Sequence, residues 1–170
     1  ALSTRPQAKD LCDGLILYSP VVAIDQQVAR WKITLARGLA RISPNTRIPL
    51  DLFTGSQSVQ VTQGAPDHTA QSNTNNWHVS DFSMRLLNAI AGLIEAMPAV
   101  AASLTEPILV INGGYDFFTH PETLEHWLTF IPATTSVEHR HFEESYHLML
   151  YDTHADAIFS DTADWLGHRI

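Results

Sequence analysis

What this sequence has little of narrows its possibilities quickly. Cys12 is the only cysteine in 170 residues, so no intrachain disulfide can form and a cysteine-rich zinc site is excluded. Such usage suits a reducing compartment such as the cytoplasm. No apolar run approaches the roughly 18 residues that a membrane-spanning helix needs. Positive charge is scarce: ten Lys and Arg against eighteen Asp and Glu leave a formal net charge of −8. A chain so acidic cannot neutralise a phosphate backbone over an extended footprint, which argues against a nucleic-acid partner. An uncharged or weakly charged substrate is the easier fit. The start at Ala1 has no initiating Met, no basic n-region and no apolar h-region, and it reads as an internal cut.

What is present describes a folded globular chain: 45% of residues are hydrophobic and 16% charged, at a length ordinary for one compact domain. Gly14-Leu15-Ile16-Leu17-Tyr18 is a short apolar run closed by Ser19-Pro20, the pattern of a strand buried on both faces in a parallel sheet. Such a strand wants neighbours on both sides, and residues 1–12 offer at most the tail of a helix. From Gln26 to Ile42 the residues Val28, Trp31, Leu35, Leu39 and Ile42 recur at helical steps and share one face. Arg30, Lys32, Arg37 and Arg41 make the same helix basic. It reads either as an ordinary packed helix with a solvated face or as a helix that lies against an anionic lipid surface.

Residues 43–80 are rich in Ser, Thr, Asn, Gln, Pro and Gly, which fits a lid or binding loop or, equally, a disordered surface insertion. Ser80 is the expected N-cap of a helix running through Phe82, Leu86, Ile90, Leu93 and Met97, with Pro98 as its end signal. A second apolar strand, Pro107 to Ile111, runs into Asn112-Gly113-Gly114-Tyr115-Asp116, where paired glycines let the backbone turn. Pro121 opens a helix with Leu124, Trp127 and Leu128 on its buried stripe. A third strand, Ser136 to Phe142, leads into Glu143-Glu144-Ser145-Tyr146-His147. The last helix, from about His154 to Ile170, is expected to bury Ile158, Phe159, Trp165, Leu166 and Ile170. Strands alternating with helices point to a mostly parallel α/β sheet.

In open α/β sheets ligands bind beyond the carboxyl ends of the strands, and two residues there carry chemistry. Asp116 follows the second strand and His147 follows the third. If the strands are adjacent and parallel, a carboxylate can hold the imidazole at Nδ1 and leave Nε2 as a base, the orienting pair of a nucleophilic triad. Singly, a strand-end Asp is often a turn former and a lone His a structural residue. Together, in acid-before-histidine order, they follow the hydrolase pattern.

With DGLILYSP, EPILVINGGYDFFTHPE and HFEESYHLML on the page, the chain from Asp13 to Ile170 resembles the monoacylglycerol-lipase and lysophospholipase branch of the serine α/β-hydrolases. The resemblance implies that Asp116 is the triad acid and His147 the triad base. It also implies that residues 1–20 and 98–170 form the C-terminal part of an α/β-hydrolase core, and that 21–97 form a helical cap shaping an acyl pocket. No cofactor is implied. The family usually has a Gly before the histidine loop, where Glu143-Glu144-Ser145 stand here, and the stretch from Asn45 to Asn76 is unusually polar for a cap.

The family's serine sits in a G-x-S-x-G elbow, because a tight turn is needed to expose Oγ above the sheet. The glycines here are Gly14, Gly38, Gly55, Gly64, Gly92, Gly113, Gly114 and Gly167, and no two stand four apart. Ser19 and Ser145 are poor substitutes because neither belongs to such an elbow. The expectation is therefore an ester hydrolase acting on acylglycerols or lysophospholipids, with its nucleophile outside these residues and this chain inactive alone. Its partners would be an ester or lipid substrate and the N-terminal half of the hydrolase, in the same or a separate chain. Two other readings stand beside it. One is a zinc site built on His139 and His141, which share a strand face; the other is a non-catalytic binding domain with hydrolase-like architecture.

Overall fold

A computed structural model of the chain describes residues 12–23, 30–49, 62 and 81–168. The two apolar runs and a more polar third strand make one sheet: β1 (Leu15–Tyr18), β4 (Ile108–Gly113) and β5 (Val137–Phe142). Their order is β1-β4-β5, and both pairings are parallel. The register sets Leu15 beside Ile108 and Ile108 beside Val137, so β4 and β5 end level, at Gly113 and Phe142.

β4 is the centre, and all six of its residues are buried. Alternation along the strand divides its side chains between two cores. On one face Ile108 and Val110 pack with Ala101, Leu104, Leu124, Trp127 and Ile131. On the other, Leu109 and Ile111 pack with Met149, Ile158 and Trp165. Burying each such side chain contributes about 1.5–3 kcal/mol, which makes this short strand the densest source of stability in the described residues. Covering the two faces are α4 (Pro121–Leu128), through Leu124 and Trp127, and α5 (Ala155–Gly167), through Ile158 and Trp165.

β1 differs from what its composition suggests. It is half-buried throughout, and among the described residues β4 is its only strand neighbour. A run apolar enough for a central strand thus has, among the described residues, a strand neighbour on one side only.

Between β1 and β4 lie α1 (Arg30–Ile42), β2 (Arg47–Pro49), β3 (Asp81–Ser83), α2 (Met84–Glu95) and α3 (Met97–Ala101). β2 and β3 form an antiparallel pair, with Ile48 opposite Phe82, and the Met84 and Arg85 amides donate to the Thr46 and Pro44 carbonyls. Phe82 therefore belongs to a strand, not to the helix that follows. The cap of α2 is Ser83, whose Oγ accepts from the Leu86 amide at 3.2 Å; Ser80 itself lies outside the described residues. Pro98 stands in the first turn of α3, where a missing N–H costs nothing, so the helix ends at Glu95 and a new one starts beyond Ala96. The expected start of α1 at Gln26, the polar stretch from Asp51 to Val61 and from Gln63 to Ser80, and residues 1–11 lie outside the described residues.

The largest departure concerns which faces are covered. The apolar stripe of α1 points outward, with Trp31 64% and Ile42 84% exposed and Leu35 and Leu39 also exposed. In α2, Leu86, Ile90 and Leu93 are exposed as well. Phe159 and Leu166 of α5, expected in the core, are exposed, while Ile158 and Trp165 are buried. One sheet face gives a helix of this length room for a single row of buried side chains, and flanking apolar residues stay outside.

Candidate active site

Gly113 and Gly114 close β4, and the reason both are glycine is proximity. A Cβ on Gly113 would stand 2.2 Å from the Ser145 carbonyl oxygen, and one on Gly114 would stand 2.2 Å from that of Glu143. The turn after β4 and the loop after β5 are thus pressed backbone to backbone, at a distance no side chain permits. Two ladder-like bonds join them: the Gly114 amide donates to Phe142 O at 2.9 Å, and the Tyr115 amide to Ser145 O at 3.0 Å. The rings of Tyr115 and Tyr146 meet across the same seam, 5.3 Å between centroids.

This contact brings Asp116 and His147 together. His147 Nδ1 lies 3.0 Å from each carboxylate oxygen of Asp116. The Asp116 side chain is fully buried and that of His147 is 21% exposed, so the acid is shielded while the imidazole reaches the surface. Asp116 Oδ1 also accepts the amides of Phe118, at 2.8 Å, and Thr119, at 3.2 Å, which fixes the carboxylate within its own turn. Thr119 Oγ1 in turn donates to Pro20 O at 3.0 Å, tying the acid turn to the exit of β1. The Phe118 ring lies 4.7 Å from the imidazole. An Nδ1–H held by a carboxylate leaves Nε2 as the basic nitrogen, and no partner for Nε2 occurs among the described residues.

Neither serine weighed as a nucleophile stands in this arrangement as an exposed hydroxyl. Ser145 is fully buried, its Oγ in a 3.2 Å hydrogen bond with His154 Nδ1. Ser19 has a left-handed backbone, φ 42°, an uncommon conformation for a non-glycine residue. Its side chain is buried, however, and Oγ has no hydrogen-bond partner among the described residues.

His139 and His141 do share a face of β5, but they converge on an amide. His139 Nε2–H and His141 Nδ1–H both donate to Asn112 Oδ1, at 2.7 and 3.2 Å. Burial holds His139 below its ordinary pKa of 6.5; His141 adds to the lowering and Glu125 opposes it. Among the described residues no group of three or more His, Cys, Asp or Glu is arranged to hold a metal ion.

Beyond the pair, a cavity of about 410 Å³ opens between the exit of β1, at Val22 and Ala23, and the helices α1 to α3, at Ile33, Thr34, Arg37, Ile94, Glu95 and Pro98. Arg37 and Glu95 form an ion pair there. No described helix is long and apolar enough to cross a membrane.

Sequence reasoning did not single out Phe118, Asn112 or Asp152. Asp152 lies two residues ahead of His154, the N-cap of α5; its bond to the Tyr146 amide, at 2.8 Å, is a tertiary contact with no local signal.

Solved structures with the same architecture include lipases. A monoacylglycerol lipase from Paleococcus ferrophilus is 19% identical, with a TM-score of 0.81 over 99% of this chain and 63% of that one. A soluble variant of the monoglyceride lipase of Saccharomyces cerevisiae, in complex with a substrate analog, is 16% identical, with a TM-score of 0.78 over 99% and 60%. A putative non-heme bromoperoxidase from Mycobacterium tuberculosis, 14% identical, shares the fold at a TM-score of 0.62 over 99% and 62%. At these identities the likeness establishes the fold, a parallel sheet with flanking helices, and this chain spans about 60% of the length of the two lipases. No curated protein sequence matches significantly. A family model described as "Serine aminopeptidase, S33" matches residues 1–154, and the chain belongs to that family of α/β-hydrolases.

Proposed function

We propose that this chain supplies the acid and the base of a serine ester hydrolase, with Asp116 orienting His147 and the nucleophilic serine carried by residues outside it. The observation that carries the reading is the 3.0 Å contact between His147 Nδ1 and a buried Asp116 carboxylate at the ends of two adjacent parallel strands. In the reaction, Nε2 of His147 takes the proton from the attacking hydroxyl and returns it to the leaving group, while Asp116 stabilises the imidazolium. The half-buried, one-sided β1 fits a chain whose sheet continues into an N-terminal half, in the same or a separate polypeptide.

The substrate class is a carboxylic ester, an acylglycerol or a lysophospholipid. The cavity beside α1 and α2 is of a size that small-molecule sites usually have, and Ile33, Ile94, Val22 and Pro98 give it an apolar wall suited to an acyl chain. Residues 1–20 and 98–170 act as the core and 21–97 as the cap. The outward apolar stripes of α1 and α2, with Arg41 and Arg85 beside them, are the part of the cap that would meet an anionic lipid surface.

The test uses the polypeptide that includes the serine. His147→Ala should lower ester turnover on the order of 10⁴-fold or more, as removal of a triad base does, and abolish labelling by a fluorophosphonate. The 170-residue chain alone should remain unlabelled. Near-normal esterase activity in the variant, or stoichiometric labelling of this chain, would overturn the assignment. Cleavage of aminoacyl amides in preference to monoacylglycerols would replace the ester class with a peptide class.

A further inference from the structure

The residues just before His147 are held by side chains that the acid–base pair does not use. Asp152 is buried, 6% exposed, although carboxylates are seldom buried without partners. Its Oδ2 accepts the Tyr146 amide and its Oδ1 the Thr153 amide, each at 2.8 Å, and Thr153 Oγ1 approaches Oδ1 at 3.4 Å. One carboxylate thus links the position preceding His147 to the start of α5, which is anchored in the core through Ile158. Ser145 completes the hold. Its amide donates to Phe142 O, its carbonyl accepts from Tyr115, and its hydroxyl pairs with His154.

We propose that Asp152 is the positioning residue for His147: by fixing the Tyr146 peptide it sets the height and direction from which Nδ1 meets Asp116. The proposal rests on the reading of His147 as a catalytic base. The chemistry of the side chain explains why it is a carboxylate. Two backbone amides converge on its two oxygens, and only a group that accepts at both satisfies them; an amide side chain would turn its NH₂ toward one of the donors. Bonds of this kind to a charged acceptor are among the stronger ones, and Asp152 spends both on residues that flank the histidine loop. Breaking them frees a segment of backbone whose displacement by about 1 Å is enough to cost a reaction on the order of 100-fold in rate.

The experiment compares Asp152→Asn with Thr135→Val. Thr135 makes a buried bond to Leu104 O at 2.8 Å, on the opposite side of the sheet from α5, and serves as the control for lost stability alone. The first readout is the proton resonance of His147 Nδ1, measured by ¹⁵N-edited NMR on this chain. Asp152→Asn should shift or broaden it by weakening the bond to Asp116, and Thr135→Val should leave it in place. The second readout is ester turnover by the serine-bearing polypeptide. Asp152→Asn should lower kcat by about 10- to 100-fold with KM changed by no more than about twofold, the signature of a lost transition-state alignment. If Asp152→Asn does not fold, Asp152→Ser, which is smaller and can still accept one of the two amides, should give the same resonance change. An unchanged resonance in the folded variant, or a kcat loss no larger than that of Thr135→Val, overturns the role of Asp152. If His147→Ala retains turnover, the function reading fails instead, and the resonance alone decides whether Asp152 positions the ring.

Discussion

The two sides of this molecule treat apolar residues in opposite ways. In the sheet, β4 buries every residue from Ile108 to Gly113, and both helices that cover it contribute a tryptophan to the core. In the helices between β1 and β4, Trp31, Leu35, Leu39 and Ile42 of α1 and Leu86, Ile90 and Leu93 of α2 are left exposed. Both regions have helical or strand periodicity of the expected kind. The difference teaches that periodicity tells which residues share a face, not whether anything covers it. Where a sheet lies behind a helix, the apolar face has an address. Where the neighbours among the described residues are a short antiparallel pair and one other helix, it does not.

The sharpest way to break this contrast is at glycine. Gly113→Ala would force a methyl group into the Ser145 carbonyl, and because the obstruction is backbone, it can be relieved only by separating the two loops. A loss of about 3 kcal/mol or more is expected, with His147 drawn away from Asp116. Gly92→Ala, in α2, meets nothing within 4 Å and should instead add about 0.5–1 kcal/mol through helix propensity. Urea unfolding of both variants checks the pair; equal effects would erase the distinction.

Core truncation gives the next largest expected difference. Ile111→Ala removes a fully buried side chain from β4 and should cost about 2–5 kcal/mol. Leu93→Ala, at 68% exposure, should stay within about 0.5 kcal/mol of the parent. A destabilised Leu93→Ala would mean that its face is covered in solution. The lipid reading makes a matching prediction: Trp31→Ser with Leu35→Ser should reduce sedimentation with anionic vesicles and leave the urea midpoint where it was. Unchanged vesicle binding would remove these stripes as a lipid contact.

The smallest effect is a pH dependence at the sheet edge. His139 in the folded chain titrates below its ordinary 6.5, because burial and His141 outweigh Glu125. The unfolded imidazole therefore takes up its proton first as pH falls. The stability associated with a neutral His139 is present above 6.5 and lost as pH drops through the lower folded value. His139→Gln should flatten the fall of Tm on the acid side of 6.5, and a parallel fall in both proteins would assign it to other groups.

Much of the site was legible because it is written at strand ends. Asp116 follows an apolar run and His147 a more polar strand, and their order matches the hydrolase pattern, so their meeting required only that β4 and β5 be adjacent. Asp152 was not legible, because nothing in the residues around it signals a bond back to the histidine loop. Only the folded chain reveals that one of its oxygens serves the Tyr146 amide instead. The helix expected from Ser80 forms, but its start was misplaced for a similar reason. Phe82 fits a helical stripe as well as a strand, and pairing with Ile48 decided between them.

By itself, the sequence determined the alternation of strands and helices and the placement of an acid and a histidine just beyond strand ends, since each depends on side-chain type within a few neighbouring positions. The tertiary structure decided what depends on contacts between distant segments. It decided that β1 is only half-buried, that the stripes of α1 and α2 face outward, and that Gly113 and Gly114 serve a close approach between loops. It also decided that the backbone before His147 is held by a carboxylate beyond it. Such contacts are set by where backbones pass each other in space, which no local pattern of residues encodes.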